Sequence, residues 1–219
     1  MKKSLVIGIL GLAAVAASSY GQGCIWLDNY FSNGGDGGPI FTYGVGVPVN
    51  GVSGAVGTPG AGLLSGWTAG IYFAVGTPNI IDPAGVGMPN AALSLGTGPG
   101  STASFQTSAF GVPGEFEASQ PFNTGAPVGS TITLEIVAYP TPAGSYAAAI
   151  YRMHTSPFTM PTAENTNEPW TNSPSSFVGD AMIAAGITGQ FPVQIPEPGS
   201  LALIGLTSLS LLLARRKEA

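Results

Sequence analysis

From Ser130 to Tyr139 the chain alternates between two kinds of side chain. Ile132, Leu134, Ile136 and Ala138 fall on one parity, and Thr131, Thr133, Glu135, Val137 and Tyr139 fall on the other. A period of two turns one set toward a core and the other toward water, so the segment predicts a strand with one buried and one mostly wet face. Shorter runs of similar character lie at Cys24 to Tyr30, Ile40 to Tyr43, Thr68 to Val75, Ala103 to Phe110, Ala147 to Met153 and Phe191 to Ile195. Clusters of Gly, Pro and Asn separate them, as turns require. Many short strands between turn signals predict an all-β fold, a single β-sandwich-like domain over residues 22–195. Within it, Thr131 to Tyr139, Pro140 to Gly144 and Tyr146 to Met153 predict an antiparallel hairpin with a loop of about five residues. One stretch has the helical period instead. Phe177, Ala181, Met182 and Ala185 predict a short helix within Ser175 to Gly186, with the preceding Ser-Pro-Ser-Ser as its cap.

Two longer apolar runs at the ends break this pattern. At the start, Lys2 and Lys3 precede an apolar stretch from Leu5 to Ala17, and Ala17, Ser19 and Gly21 are small enough for a signal peptidase. Residues 1–21 are therefore expected to be a signal peptide. At the other end come Pro196, Glu197 and Pro198, then Gly199-Ser200, an apolar run from Leu201 to Ala214, and Arg215, Arg216 and Lys217. Proline on both sides of Glu197 keeps that motif extended. As a helix, the 16 residues from Gly199 to Ala214 would reach about 24 Å, slightly short of a hydrocarbon core of roughly 30 Å. A transmembrane helix over 199–214 is expected, with the three cations on the cytoplasmic side and Pro196 to Pro198 on the outer face.

This three-part tail closely resembles the PEP-CTERM sorting signal of bacterial envelope proteins, over Pro196 to Ala219. The resemblance implies that Pro196, Glu197 and Pro198 are the processing motif and that Arg215, Arg216 and Lys217 flank the membrane. It implies an exosortase, an integral-membrane cysteine peptidase, as the processing partner, and an association with exopolysaccharide. The opening Gly21 to Tyr30, Thr42 to Gly44 and Thr68 to Gly76 are similar to segments of some PEP-CTERM proteins, without any activity attached. The tail describes how the protein is handled and leaves the role of the body open.

Setting the ends aside changes the charge balance. Arg152 is the only Lys or Arg between residues 22 and 195, against nine Asp and Glu, so the body carries a net charge of −8. Such a surface has no footprint for nucleic acid and is repelled by anionic headgroups. Its polar positions are filled by Ser, Thr and Asn, which disfavours long surface helices. Cys24 is the only cysteine, so no intramolecular disulfide forms in an oxidising compartment. The Gly21-Gln22-Gly23 before it lacks the bulky aliphatic residue expected of a lipidation site, which predicts a buried or unpaired thiol instead. Ala55 to Pro59 recurs as Ala74 to Pro78, but a single repetition reads as two turns rather than a solenoid.

The candidate chemistry is sparse. His154 is the only histidine, and Gly51-Val-Ser-Gly-Ala55 lacks the last glycine of a nucleophile elbow. His154 is expected to pack at a strand end, and zinc held by one His and one Cys is disfavoured. Glu115 and Glu117 share one face of a strand, about 6.6 Å apart along it, which a solvated face explains better than a glycosidase pair. Asp28, Asn29, Asn33 and Asp36 among glycines form an oxygen-rich loop without the spacing of a calcium site. Glu164 to Glu168 reads as a solvated turn. Of Trp26, Trp67 and Trp170, the last follows Pro169 in a polar loop and is the best candidate for stacking on sugar. The expectation is a non-enzymatic exported protein without metal or cofactor. A carbohydrate-binding module is the alternative.

Overall fold

The computed structural model describes residues 22–30, 40–106, 112–164 and 177–195. Among these residues eleven strands form: β1 (Gln22–Ile25), β2 (Ile40–Tyr43), β3 (Trp67–Val75), β4 (Ser94–Leu95), β5 (Thr102–Phe105), β6 (Phe116–Glu117), β7 (Phe122–Pro127), β8 (Thr131–Pro140), β9 (Met153–His154), β10 (Phe158–Pro161) and β11 (Gln190–Val193). One α-helix, α1 (Val178–Ala184), lies among the described residues. The fold is mostly β and its sheets are open.

The largest sheet has the order β10-β8-β3-β5-β6, with β4 added to β3 and β9 to β8. Its axis is the antiparallel pair β3 and β8, in register from Trp67 opposite Pro140 to Val75 opposite Ile132. Because side chains alternate, this register aligns Ala69, Ile71 and Phe73 with Ala138, Ile136 and Leu134 on one face. Phe105, Phe116, Phe158 and Met160 extend that face through the neighbouring strands, and all four are buried. A smaller parallel pair, β2 with β11, brings Phe41, Tyr43, Phe191 and Val193 into the same core. Phe41 meets Phe105, Phe116 and Phe191 at ring separations of 5.8, 6.1 and 5.4 Å.

Three backbones meet beside Phe41. Leu63 N donates to the Phe41 carbonyl, Gly114 N to that of Leu63, and Phe41 N to that of Gly114. A Cβ on Gly62 would overlap the Pro113 carbonyl, and Gly114 has φ +95° with the Phe41 oxygen 2.6 Å from where its Cβ would be. Glycine at both positions lets the strands close on one another.

The structure corrects three expectations. The second face of β8 is not wet: Thr133, Glu135 and Val137 are all buried. Period-two alternation identifies two faces but not what covers them, and here the segments around Asp82 and Tyr146 lie over the second one. The hairpin after β8 does return antiparallel, pairing Val137 with His154 and Ala138 with Met153. Its returning strand is only two residues long, because the chain from Tyr146 turns inward and Tyr146 Oη donates to the Gly87 carbonyl at 2.8 Å. The helix starts later than expected and has no side-chain cap. Its first amides, on Val178 and Gly179, donate instead to the carbonyls of Trp26 and Asp28, which supply the partners a capping serine would give.

Candidate functional site

The second face of β3 and β8 holds the densest polar chemistry among the described residues. Glu135 lies opposite Tyr72 across the strand pair, and His154 lies opposite Val137, one position further along the same face. Tyr146 packs edge-on against Tyr72, Tyr139 and the His154 ring, with centroids 6.3, 6.4 and 6.5 Å away. Arg152 lies 5.2 Å from the Tyr146 ring centroid and donates to the carbonyls of Val86, Tyr146 and Ala147. The only cation of the body is thus engaged with backbone and ring rather than presented as a binding charge. Gly85 exchanges backbone hydrogen bonds with His154, which sets the Asp82 loop beside it.

Asp82, Glu135 and His154 each place one ligand atom within 4.8 Å of the others. Glu135 and His154 are fully buried and Asp82 is half-buried. His154 Nδ1 is 3.4 Å from Glu135 Oε2 and 3.0 Å from the Thr155 carbonyl. Burial presses the imidazole toward its neutral form, yet Glu135, the Thr155 carbonyl and Asp82 outweigh it and hold the pKa above the usual histidine value. Sequence reading placed His154 at a strand end, which is where it lies. It missed Asp82 and Glu135 as its neighbours, because they are far from His154 along the chain and Glu135 belonged to the face expected to be wet.

The other candidates sit apart from this cluster. Glu115 is buried, which corrects its expected solvated face; its Oε2 accepts from Val112 N at 3.0 Å while Oε1 has no hydrogen bond. Glu117 is half-buried near Gln106. Burial raises the pKa of both, offset in Glu115 by the Val112 amide. A carboxyl whose folded pKa lies above its ordinary 4.5 stabilises the fold below the unfolded value, and that contribution is lost as pH rises through the folded one. Glu115→Gln is therefore expected to raise the urea midpoint at pH 7 relative to the unaltered chain, with the difference shrinking toward pH 4. An equal loss at both pH values would show that the ionised carboxylate is fully compensated.

Asp28 and Asn29 are buried against β6, where Asn29 Oδ1 accepts from Phe116 N. They serve the fold, while Asn33 and Asp36 lie outside the described residues. Trp67 is fully buried, with its indole N–H donating to the Val49 carbonyl, and Trp26 is also buried. Neither offers a face for sugar, and Trp170 lies outside the described residues. Cys24 is a buried free thiol, and burial raises its pKa. The acidic turn is described only as far as an exposed Glu164.

The body closes at β11. Phe191 and Val193 pair in parallel with Phe41 and Tyr43, and Gln194 then exchanges backbone hydrogen bonds with Arg152 at 3.0 and 3.2 Å. Ile195 is exposed, and the described chain stops there. At this junction a family model, the PEP-CTERM protein-sorting motif, matches residues 194–217. The chain carries a PEP-CTERM sorting signal. No curated protein and no solved structure matches the chain. The motif implies exosortase-dependent export and membrane-associated sorting. The expected processing residues Pro196, Glu197 and Pro198, the basic residues Arg215, Arg216 and Lys217 expected to flank the membrane, the expected helix over 199–214 and the expected signal peptide over 1–21 all lie outside the described residues. Among those described, no helix is long and apolar enough to cross a membrane.

Proposed function

We propose that this is an exported cell-envelope or extracellular-matrix protein whose body has a non-catalytic structural or interaction role alongside exopolysaccharide. In this reading a signal peptide is removed near Gly21, the helix over 199–214 holds the chain transiently in the membrane, and an exosortase then acts at Pro196 to Pro198. The observation that carries it is the sorting motif beginning at residue 194, where the last strand ends. A peptidase working beside the membrane would meet an extended Pro-Glu-Pro segment outside the β11 ladder. The body's charge of −8 keeps it soluble and off anionic lipid, which suits release into a hydrated matrix.

A carbohydrate-binding module remains the second reading, and with Trp26 and Trp67 buried it rests on Trp170. Intact-mass spectrometry of the protein recovered from cells and from the surrounding matrix tests the first. A mature C-terminus near Pro198, or a heavier species modified there, is expected in the matrix. A chain ending at Ala219 and found only in membranes would leave a simply anchored surface domain instead.

A further inference from the structure

Ionised Glu135 needs a counter-charge that its protein neighbours supply only in part. Both of its carboxylate oxygens are buried without a hydrogen bond, and its nearest charge partner is His154, 3.4 Å away. Arg152, the only guanidinium of the body, donates to three carbonyls instead. A carboxylate sealed from water in this way is costly unless a charge is brought to it. Asp82 adds a second carboxylate to the same spot.

We propose that Asp82, Glu135 and His154 bind one divalent transition-metal cation, with Zn²⁺ as the fitting member of that class. Two carboxylate oxygens and one imidazole nitrogen form a mixed set that suits a borderline cation, whereas Ca²⁺ and Mg²⁺ prefer oxygen alone. The imidazole is already oriented. His154 Nδ1 lies 3.4 Å from Glu135 Oε2 and 3.0 Å from the Thr155 carbonyl, so the ring already faces the carboxylate that would share the ion. Asp82 is half-buried, so the loop that carries it gives the ion a way in.

The site would act as a staple. The chain from Gly76 to Leu93 contains no strand, covers the second face of β8, and has no disulfide to hold it, since Cys24 is the only cysteine. A cation shared between Asp82 and the β8–β9 pair would tie that loop down, as metals do in exported domains that lack cross-links.

The test uses the full-length chain in detergent, stripped with chelator, then titrated separately with Zn²⁺, Mn²⁺ and Ca²⁺ by calorimetry and analysed for bound metal. One Zn²⁺ per chain is expected, with Ca²⁺ at least tenfold weaker and a rise in melting temperature on Zn²⁺ addition. Asp82→Asn, on the half-buried loop, keeps the core intact and is expected to weaken Zn²⁺ binding tenfold or more. Glu135→Gln should abolish it, and Glu117→Gln, outside the cluster, should leave it unchanged. Absence of bound Zn²⁺ in the unaltered chain would overturn the site. So would unchanged affinity in Asp82→Asn or Glu135→Gln, or a preference for Ca²⁺. Because the readout is metal binding, it is independent of whether the tail is processed.

Discussion

Phe41→Ala is expected to cost about 3–5 kcal/mol, the range for truncating a fully buried phenylalanine. Phe41 has no solvent exposure and sits in β2, between the large sheet and β11. Its ring meets Phe105 nearly edge-on, at an interplanar angle of 74°, and Phe116 and Phe191 at tilted angles. Truncation would remove three ring contacts at once, beyond the lost burial of the side chain itself. Collapse into the space is hindered, because the Phe41 amide and carbonyl are fixed to Gly114 and Leu63. Against a typical domain stability of about 5–15 kcal/mol, the loss is a large fraction of the total. Urea unfolding followed by circular dichroism reads it as a fall in midpoint at nearly constant slope. Ile81→Ala is the control, since Ile81 is 89% exposed, and surface changes of that kind stay within about 0.5 kcal/mol. Equal midpoints for the two variants would mean that β2 and β11 do not close over the aromatic core.

Local pattern made much of this fold readable before its shape was known. The alternation of β8, the run that became β3, the helix carrying Met182 and the final strand at Phe191 all depend on neighbours in sequence, and each lies close to its expected place. What failed depended on distant segments. Glu135 sits on the polar parity of β8, and only the arrival of Tyr146 and the Asp82 loop makes that face an interior. The helix begins without a serine cap because Trp26 and Asp28, some 150 residues earlier, present their carbonyls to it. β9 is short because Tyr146 binds Gly87 rather than continuing a ladder. The candidate metal cluster has the same origin. Asp82, Glu135 and His154 share no motif spacing, so no local signal marks them, and the burial of an acidic residue on a strand is the feature that reveals them. The sorting tail is the opposite case: its information is local, in composition and order, and the motif over residues 194–217 is legible from it.

Replacing Pro196, Glu197 and Pro198 together by alanine is expected to abolish exosortase processing and leave the body folded. The two effects separate because the described strand pairing ends before Pro196. β11 makes its last strand pair at Val193, and the Gln194 pairing with Arg152 uses backbone atoms only. Alanines at 196–198 would touch neither. They would, however, free the segment to become helical, since the two prolines that fix φ and deny backbone donors are gone and alanine is the strongest helix former. A helix begun over 199–214 could then run back toward residue 196 and withdraw the motif from a peptidase that reads an extended peptide. Loss of Glu197 also removes the one side-chain charge close before the apolar run. The expected product is a chain with an intact tail ending at Ala219, retained in the membrane fraction, with the urea midpoint of its body unchanged. Restoring the prolines around an alanine, as in Glu197→Ala alone, separates shape from charge. Recovery of processing would assign recognition to the extended backbone, and continued failure would assign it to the carboxylate. A triple variant processed like the unaltered chain would show that neither is read, and that the apolar run and its terminal cations carry the signal alone.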